Sequence, residues 1–429
     1  MEAEKSEEKL SAENLIKEDQ KEDKINSYLN TNDLEKRKKS LKEFFLSLTK
    51  DYYDKLFILI LLAALIIRIL VYLKTNDQAL WWDAADYMSS AKRWAGVNQN
   101  LIDIWYYRRG FLWALIGTIF FKIGLGELGI RFLTVLFSTG IVFVSYFLIS
   151  EMFNKKLALL TSLGITLSWV FLFFTGRLLT EIPATFFLLI SLIFFWKGYI
   201  KNSGVKYFIL FGIFAALTVL TRMQYLMFVI PILLLALVRE KHKIFVNKKL
   251  WLSLIIFIIF LLPHLYLYSK HFGNPILDLT NYYLGIEGIS KTGEVGVELA
   301  KTSDLFLYIN NLPYILNGNQ LDPSNKGYSS LFVSPFGYPV YWLFILGFFL
   351  FFIDLFLGFD KIFSNEDIQK KFFILSFIVL SFLFLGYMAP QLEQRYIMPV
   401  MPFLFLIVVY PFYFITGFLK EKINPKTII

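Results

Sequence analysis

Beyond residue 55 the chain alternates between long apolar runs and short polar breaks. Membrane spans are predicted at 56–73, 129–150, 157–174, 183–200, 207–221, 223–238, 250–268, 340–358, 372–388 and 396–419. Most of these runs approach the roughly 20 residues that a helix needs to cross about 30 Å of hydrocarbon. The run at 111–124, "FLWALIGTIFFKIG", is too short for that and reads as an interfacial or re-entrant helix. The predicted fold is an all-α polytopic membrane protein with about ten transmembrane helices and interfacial helices in its first outer loop.

Charge fixes the direction. If 111–124 does not cross, the loops at 151–156, 197–206, 239–249, 359–371 and 420–429 share one face. These are the segments rich in lysine and arginine, such as "KGYIKNSGVK" and "REKHKIFVNKK". Positive residues mark the cytoplasmic side, so both termini are expected inside a cell membrane or endomembrane. The opposite, outer or luminal face then receives the first outer loop, 74–128, and a long loop at 269–339, whose turn residues predict a partly ordered, water-facing segment.

Residues 1–55 break the pattern. They are densely charged, with a basic cluster "EKRKKSLK" near the first span, and read as a solvated, disordered cytoplasmic arm. The arm is far too long for the positive region of a signal peptide, so the first span is expected to stay as an anchor. The transmembrane domain is placed at 56–419 and a short cytoplasmic tail at 420–429.

Composition narrows the chemistry. With no cysteine, disulfides, thiolate catalysis and cysteine metal sites are excluded. The three histidines, His242, His264 and His271, are too scattered for a histidine-built metal centre. No nucleic-acid partner is expected; membrane lipids are.

The stretch "WWDAADYMSSAKRW" sets acids beside aromatics directly after the first span. As a helix it places Asp83, Tyr87, Ser90 and Trp94 on one face, with Ala84, Met88, Ala91 and Ala95 forming an apolar stripe beside it. Asp83 can cap this helix or act from the membrane surface as a catalytic carboxylate, and Asp86 reads as a solvated residue. The remaining outer-face charges sit at span ends: Arg108 and Arg109, Arg177 and Glu181 in "TGRLLTEIP", Arg222 in "LTRMQY", and Arg395 beside Tyr396 in "EQRYIMP". Each can snorkel as an anchor, but together they suit a pocket for an anionic head group. Arg68, inside the first span, is expected to face the same pocket or pair with an acid, and Asp354 to be structural.

These segments resemble the C-type glycosyltransferases of the dolichyl-phosphate-mannose–protein mannosyltransferase and aminoarabinose transferase group. The likeness runs from "WWDAADYMSSAKRW" through "GIRFLTVLFSTGIVFVSYFLISEMFNKK", "GRLLTEIPATFFLLISLIFF" and "LTVLTRMQYLMFVIP" to "EQRYIMPVMPFLFLIV", most of residues 56–410. It implies a C-type glycosyltransferase fold and an active site on the outer face, with a polyprenyl-phosphate-linked sugar as donor. Asp83 falls at the family's loop-one aspartate, the general base, and Tyr87 at its tyrosine. Glu181 falls at a second acid, Arg222 at a basic residue after a threonine, and Arg395 at the start of an Arg-Tyr pair. Ala84 replaces the acidic partner usual beside the first aspartate, and "RRGFLW" lacks the family's prolines after its basic residue.

The expected reaction moves a sugar from a polyprenyl phosphate to a hydroxyl of a protein, glycan or lipid, with inversion. The leaving phosphate needs cations, which arginines supply, and the hydroxyl needs a base. No obligatory cofactor is expected, although Asp83 with Asp86 or Glu181 offers oxygen ligands to a divalent cation. The competing reading is a multi-pass transporter or flippase for a lipid-linked or anionic substrate. Inverted repeats and broken helices at mid-bilayer would mark one, and the sequence has no visible internal repeat. A polysaccharide polymerase or ligase, and the oligosaccharyltransferase catalytic subunit, are weaker alternatives.

Overall fold

The computed structural model describes residues 51–80, 82–100, 110–275, 305–317, 339–388 and 393–423. Arg108, Arg109, almost all of the N-terminal arm and most of the 269–339 loop lie outside the described residues. The chain divides into two compact units, Met1–Ile58 and Leu59–Ile429. Among the described residues every regular element is a helix.

The first helix, α1 (Tyr52–Thr75), runs on into a short connection. Then come α2 (Trp82–Ala95) and α3 (Leu112–Lys122). At 1.5 Å per residue these two reach roughly 21 and 17 Å, too short to cross hydrocarbon. They pack on each other as the predicted interfacial pair. The stripe Ala84, Met88 and Ala91 is fully buried, and a Cβ on Gly117 of α3 would stand 2.8 Å from the Ala91 Cβ. Small residues on both helices therefore set their close approach.

The bundle continues with α4 (Gly126–Met152), α5 (Lys155–Leu167) and α6 (Trp169–Phe174). The predicted single span 157–174 is thus two helices: Ser168 adopts extended backbone between them. Next are α7 (Glu181–Phe195), continued by a π-turn at Trp196–Ile200, and α8 (Val205–Thr221). A 3-10 turn at Met223–Phe228 leads into α9 (Val229–Glu240), and a second at Lys241–Val246 into α10 (Lys248–Phe272). Two short helices, α11 (Leu307–Asn310) and α12 (Leu312–Asn317), precede α13 (Pro339–Leu357) and α14 (Glu366–Met388). A 3-10 turn at Gln394–Ile397 then enters α15 (Met401–Ile423).

Among the described residues, seven helical stretches are long and apolar enough to cross a membrane: Tyr52–Thr75, Gly126–Met152, Glu181–Ile200, Met223–Val246, Lys248–Lys270, Pro339–Leu357 and Glu366–Tyr387. The other three predicted spans correspond to the broken pair α5 and α6, to the shorter α8, and to α15. Burial explains the differing compositions. In the first half of α15, Phe403, Leu404, Leu406 and Ile407 are all inaccessible, so that half is apolar all round because it is surrounded by protein. At Gly347 the backbone of α13 comes so close to this helix that a Cβ would stand 1.9 Å from the Ile407 carbonyl oxygen. Helices α1 and α10 instead keep rows of exposed leucine and isoleucine.

Two polar clusters brace the bundle, the first buried and the second partly exposed. Arg68 of α1 donates from Nε to Ser138 Oγ at 2.7 Å and from its terminal nitrogens to the carbonyls of Ala64 and Ile165. Among the described residues its partners are therefore neither an acid nor members of the expected anion pocket. Hydroxyls and carbonyls satisfy it inside the bundle, where an unpaired charge is costly. Away from the Asp83 cluster, Asp354 of α13 accepts from Lys371 of α14 at 2.9 Å and from Tyr410 of α15 at 2.7 Å. That three-helix clamp is the structural role predicted for Asp354.

Candidate active site

One end of the bundle collects the charges that the sequence placed at span ends. Asp83 lies in the first turn of α2 and Glu181 opens α7, positions where the helix dipole favours a carboxylate. Arg222 follows the last residue of α8 in extended backbone, so its cation meets the negative end of that helix. Arg395 sits in the tight turn before α15.

These four side chains meet. Arg395 Nη1 lies 2.9 Å from Asp83 Oδ2, and its Nε lies 3.3 Å from Glu181 Oε1 and 3.1 Å from Glu393 Oε2. Arg222 Nη1 is 3.1 Å from the same Glu181 oxygen and donates to Thr180 Oγ1 at 2.9 Å. Glu181 is only 1% exposed, whereas the Asp83 side chain keeps 34% of its surface open. Neither Glu181 oxygen makes a well-aligned hydrogen bond among the described residues. The two arginines thus hold it by charge, at ion-pair distance.

Burial by itself disfavours both guanidinium charges, but Glu181 and the surrounding tyrosines and acids more than offset this. Arg222 and Arg395 are held above the ordinary arginine pKa. The Tyr396 ring stacks beneath both cations, with centroid distances of 5.0 Å to Arg222 and 5.2 Å to Arg395. Tyr87 is buried and close enough to act on the Arg222 charge. Asp83, Tyr87, Glu181, Arg222, Arg395 and Tyr396 therefore form one cluster.

Arg177 lies in the loop that leads to Glu181. Its guanidinium lies over the Phe173 ring at 4.2 Å and its Nε donates to the Phe173 carbonyl. Burial, with a contribution from Arg131, lowers its pKa to about 10. An anion brought to Arg177 would relieve both effects. The chain enters α3 at Gly110, directly after Arg109, and a Cβ there would stand 2.0 Å from the Leu220 carbonyl oxygen. Only glycine fits this crossing, which lies two residues before Arg222.

Two supporting residues escaped the sequence reading. Arg131 of α4 is almost fully buried. It donates to the carbonyls of Gln78 at 2.6 Å, Gly176 at 3.1 Å and Thr75 at 3.5 Å. It therefore ties the connection that carries Asp83 to the loop that carries Arg177 and Glu181. Trp113 of α3 adds a bond to the Leu178 carbonyl of that loop. The second is Tyr308 of α11, inside the long loop. It is inaccessible, and its hydroxyl donates to the Glu393 carbonyl at 3.1 Å, bracing the turn that presents Arg395. An arginine lost in the apolar run "GIRFLTVLF" and one tyrosine in a turn-rich loop gave little signal.

The cluster pairs one accessible carboxylate with arginines, groups chemically able to accept a proton and to hold an anion. Among the described residues no three His, Cys, Asp or Glu side chains are grouped to hold a metal ion. Residues 108–267 match the family model described as dolichyl-phosphate-mannose-protein mannosyltransferase. The structure is similar to that of ArnT from Cupriavidus metallidurans bound to undecaprenyl phosphate, with a TM-score of 0.56 and 14% identity. The match covers 82% of this chain and 59% of that one.

The protein has the C-type glycosyltransferase fold.

The resemblance read from the sequence is borne out. The apo oligosaccharyltransferase of Archaeoglobus fulgidus has the same glycosyltransferase fold at a TM-score of 0.53 and 15% identity, over 88% of this chain and 52% of that one. This chain thus spans little more than half the length of the solved glycosyltransferases it matches. Among curated protein sequences, none matches it.

Proposed function

We propose that this protein transfers a sugar from a polyprenyl-phosphate donor to an acceptor hydroxyl at the outer or luminal membrane surface. The observation that carries this reading is the pairing of Asp83 and Glu181 on the single guanidinium of Arg395, at 2.9 and 3.3 Å. One carboxylate is open enough to reach a substrate, while the other is buried and holds two arginines in place. The family-model match and the fold shared with a structure holding undecaprenyl phosphate support the donor class.

The steps follow from these groups. The acceptor oxygen attacks the anomeric carbon as Asp83 takes its proton. The carbon–oxygen bond to phosphate breaks, and the polyprenyl phosphate leaves with the bonding electrons. Arg222, Arg395 and Arg177, with Arg108 or Arg109, receive that charge through charge-assisted hydrogen bonds. A single displacement inverts the anomeric centre. The 269–339 loop, which contributes Tyr308 to the site, is proposed to select a protein, glycan or lipid acceptor. Exchanging it for a relative's loop should change acceptor preference, and an unchanged preference would overturn this assignment.

The deciding experiment measures transfer of labelled sugar from a polyprenyl-phosphate pool in membranes, wild type beside Asp83→Asn. The variant keeps the size and hydrogen bonding of the side chain and removes its basicity. A loss of roughly a hundredfold or more is expected of a general base. Equal transfer in both would remove Asp83 from the chemistry.

A further inference from the structure

Far from the Asp83 cluster, the other end of α7 to α10 is lined by two cavities. One is apolar, about 400 Å³, and includes Phe195, Phe211, Ala236 and Trp251 in its walls. The other is polar, about 420 Å³, and includes Tyr199, Phe208, Glu240 and Lys248. Both fall within the roughly 300–1,000 Å³ typical of small-molecule sites.

Each of the four elements contributes to both. The residues pair as Phe195 with Tyr199, Phe211 with Phe208, Ala236 with Glu240, and Trp251 with Lys248. The members of every pair are three or four positions apart, about one helical turn or 5 Å. The cavities are therefore stacked along the helix axes, the polar one nearer the basic loops. Exposed Trp251 and Phe245 on the rim open the apolar cavity sideways.

The polar cavity carries Arg239, Lys248 and Lys249 against the single acid Glu240. That acid is already engaged: Asn247 Nδ2 donates to both of its oxygens, at 2.9 and 3.0 Å. Arg239 is held in place by Gln369 and the Ile200 carbonyl, and Lys249 by Asn202 at 2.7 Å. Asn247 also caps the first turn of α10, so the positive end of that helix adds to the field. Fixed cations next to an apolar slot between membrane helices are complementary to a phosphate joined to a hydrocarbon chain.

We propose that the two cavities together bind one anionic phospholipid of the adjoining leaflet, its phosphate among Arg239, Lys248 and Lys249 and one acyl chain along Phe211 and Trp251. This site is separate from the glycosyltransferase centre. Glu181 and Tyr199 lie eighteen positions apart on one continuous helical stretch, roughly 27 Å at the helical rise.

The test uses the purified full chain in detergent, with phosphatidylglycerol, phosphatidylcholine of the same acyl chains, or inorganic phosphate. Retained lipid is counted by native mass spectrometry and thermal unfolding is followed in parallel. One phosphatidylglycerol should be retained in preference to phosphatidylcholine and should raise the melting temperature. The Lys248→Gln/Lys249→Gln variant should lose roughly tenfold or more of that preference, while melting as wild type does in phosphatidylcholine. Ala215→Phe, which fills the apolar cavity and leaves the cations untouched, should weaken retention of phosphatidylglycerol. Equal retention of the two lipids, or undiminished preference in the double variant, would overturn the proposal. So would inorganic phosphate matching the stabilisation by phosphatidylglycerol.

Discussion

Arg395 bridges Asp83 and Glu181, with Nη1 2.9 Å from the first and Nε 3.3 Å from the second. Different edges of one planar guanidinium thus serve two acids from separate helices. The bridge also sets a sequence of events for the proposed reaction. In that proposal the donor phosphate would compete with Asp83 for the Arg395 cation. Donor binding would then release the carboxylate at the moment a base is needed.

Arg395→Lys tests this bridge. Lysine keeps the charge but is a point cation that cannot serve two carboxylates in a fork. Sugar transfer should fall on the order of a hundredfold, with the fold retained by thermal unfolding. Near wild-type transfer would show that charge alone suffices and that the bridging geometry is incidental.

Glu181 and Arg222 form a buried pair, and Arg395 shares the acid. Removing one partner of such a pair commonly costs about 3–5 kcal/mol, because the remaining charge stays buried. Glu181→Gln takes from the buried Arg222 the acid it pairs with and leaves Arg395 with Asp83 and Glu393, whereas Arg222→Gln leaves Glu181 paired with Arg395. The glutamate variant should therefore be the less stable of the two in detergent unfolding. Glu181→Gln/Arg222→Gln should be less damaged than the sum of the single variants, with a coupling of about 0.5–3 kcal/mol. Additive losses would mean that the pair is not a unit.

Arg131 should act at a distance through its three carbonyls at Thr75, Gln78 and Gly176. Arg131→Gln frees both connections and should reduce turnover on the order of a hundredfold, the scale expected of an ångström-sized misplacement. Donor affinity should change less than turnover, since Arg222 and Arg395 are carried by segments that Arg131 does not tie down. Arg131→Lys, which retains the charge and part of the donor set, should recover a fraction of the turnover. A loss confined to donor affinity would instead put Arg131 in contact with the substrate.

The pattern of legibility follows from where charge is conspicuous. Asp83, Glu181, Arg222 and Arg395 stood out because each interrupts an apolar chain at the end of a span, where desolvation makes a charge costly. Their mutual pairing was not readable, because it depends on how α2, α7, α8 and the turn before α15 pack. Arg68 looked equally conspicuous and misled, since Ser138 and two carbonyls satisfy it without any acid. Carbonyl partners leave no mark in a sequence, and the same fact hid Arg131 and Tyr308. The break at Ser168 was missed because hydropathy runs unbroken across it. The short length of 111–124 left its crossing open, and the distribution of lysine and arginine among the loops led to the reading that it does not cross.

The absence of native cysteine makes the proposed orientation directly testable. Gln99, between α2 and α3, and Lys243, in the turn before α10, are both exposed. Neither α2 nor α3 is long enough to cross hydrocarbon, so Gln99 belongs to the same membrane face as the end of α1 and the Asp83 cluster. Lys243 lies among the basic loops, which the positive-inside rule assigns to the cytoplasm. In intact cells expressing Gln99→Cys or Lys243→Cys, a membrane-impermeant maleimide should label the first and spare the second until the membrane is opened. If the membrane is an internal one, sealed vesicles with their cytoplasmic face outward should give the reverse. Labelling of both variants from one side would place a crossing between α1 and α4. Labelling of Lys243→Cys alone in intact cells would turn the molecule over and put the arginine cluster on the cytoplasmic face, where nucleotide sugars become available as donors.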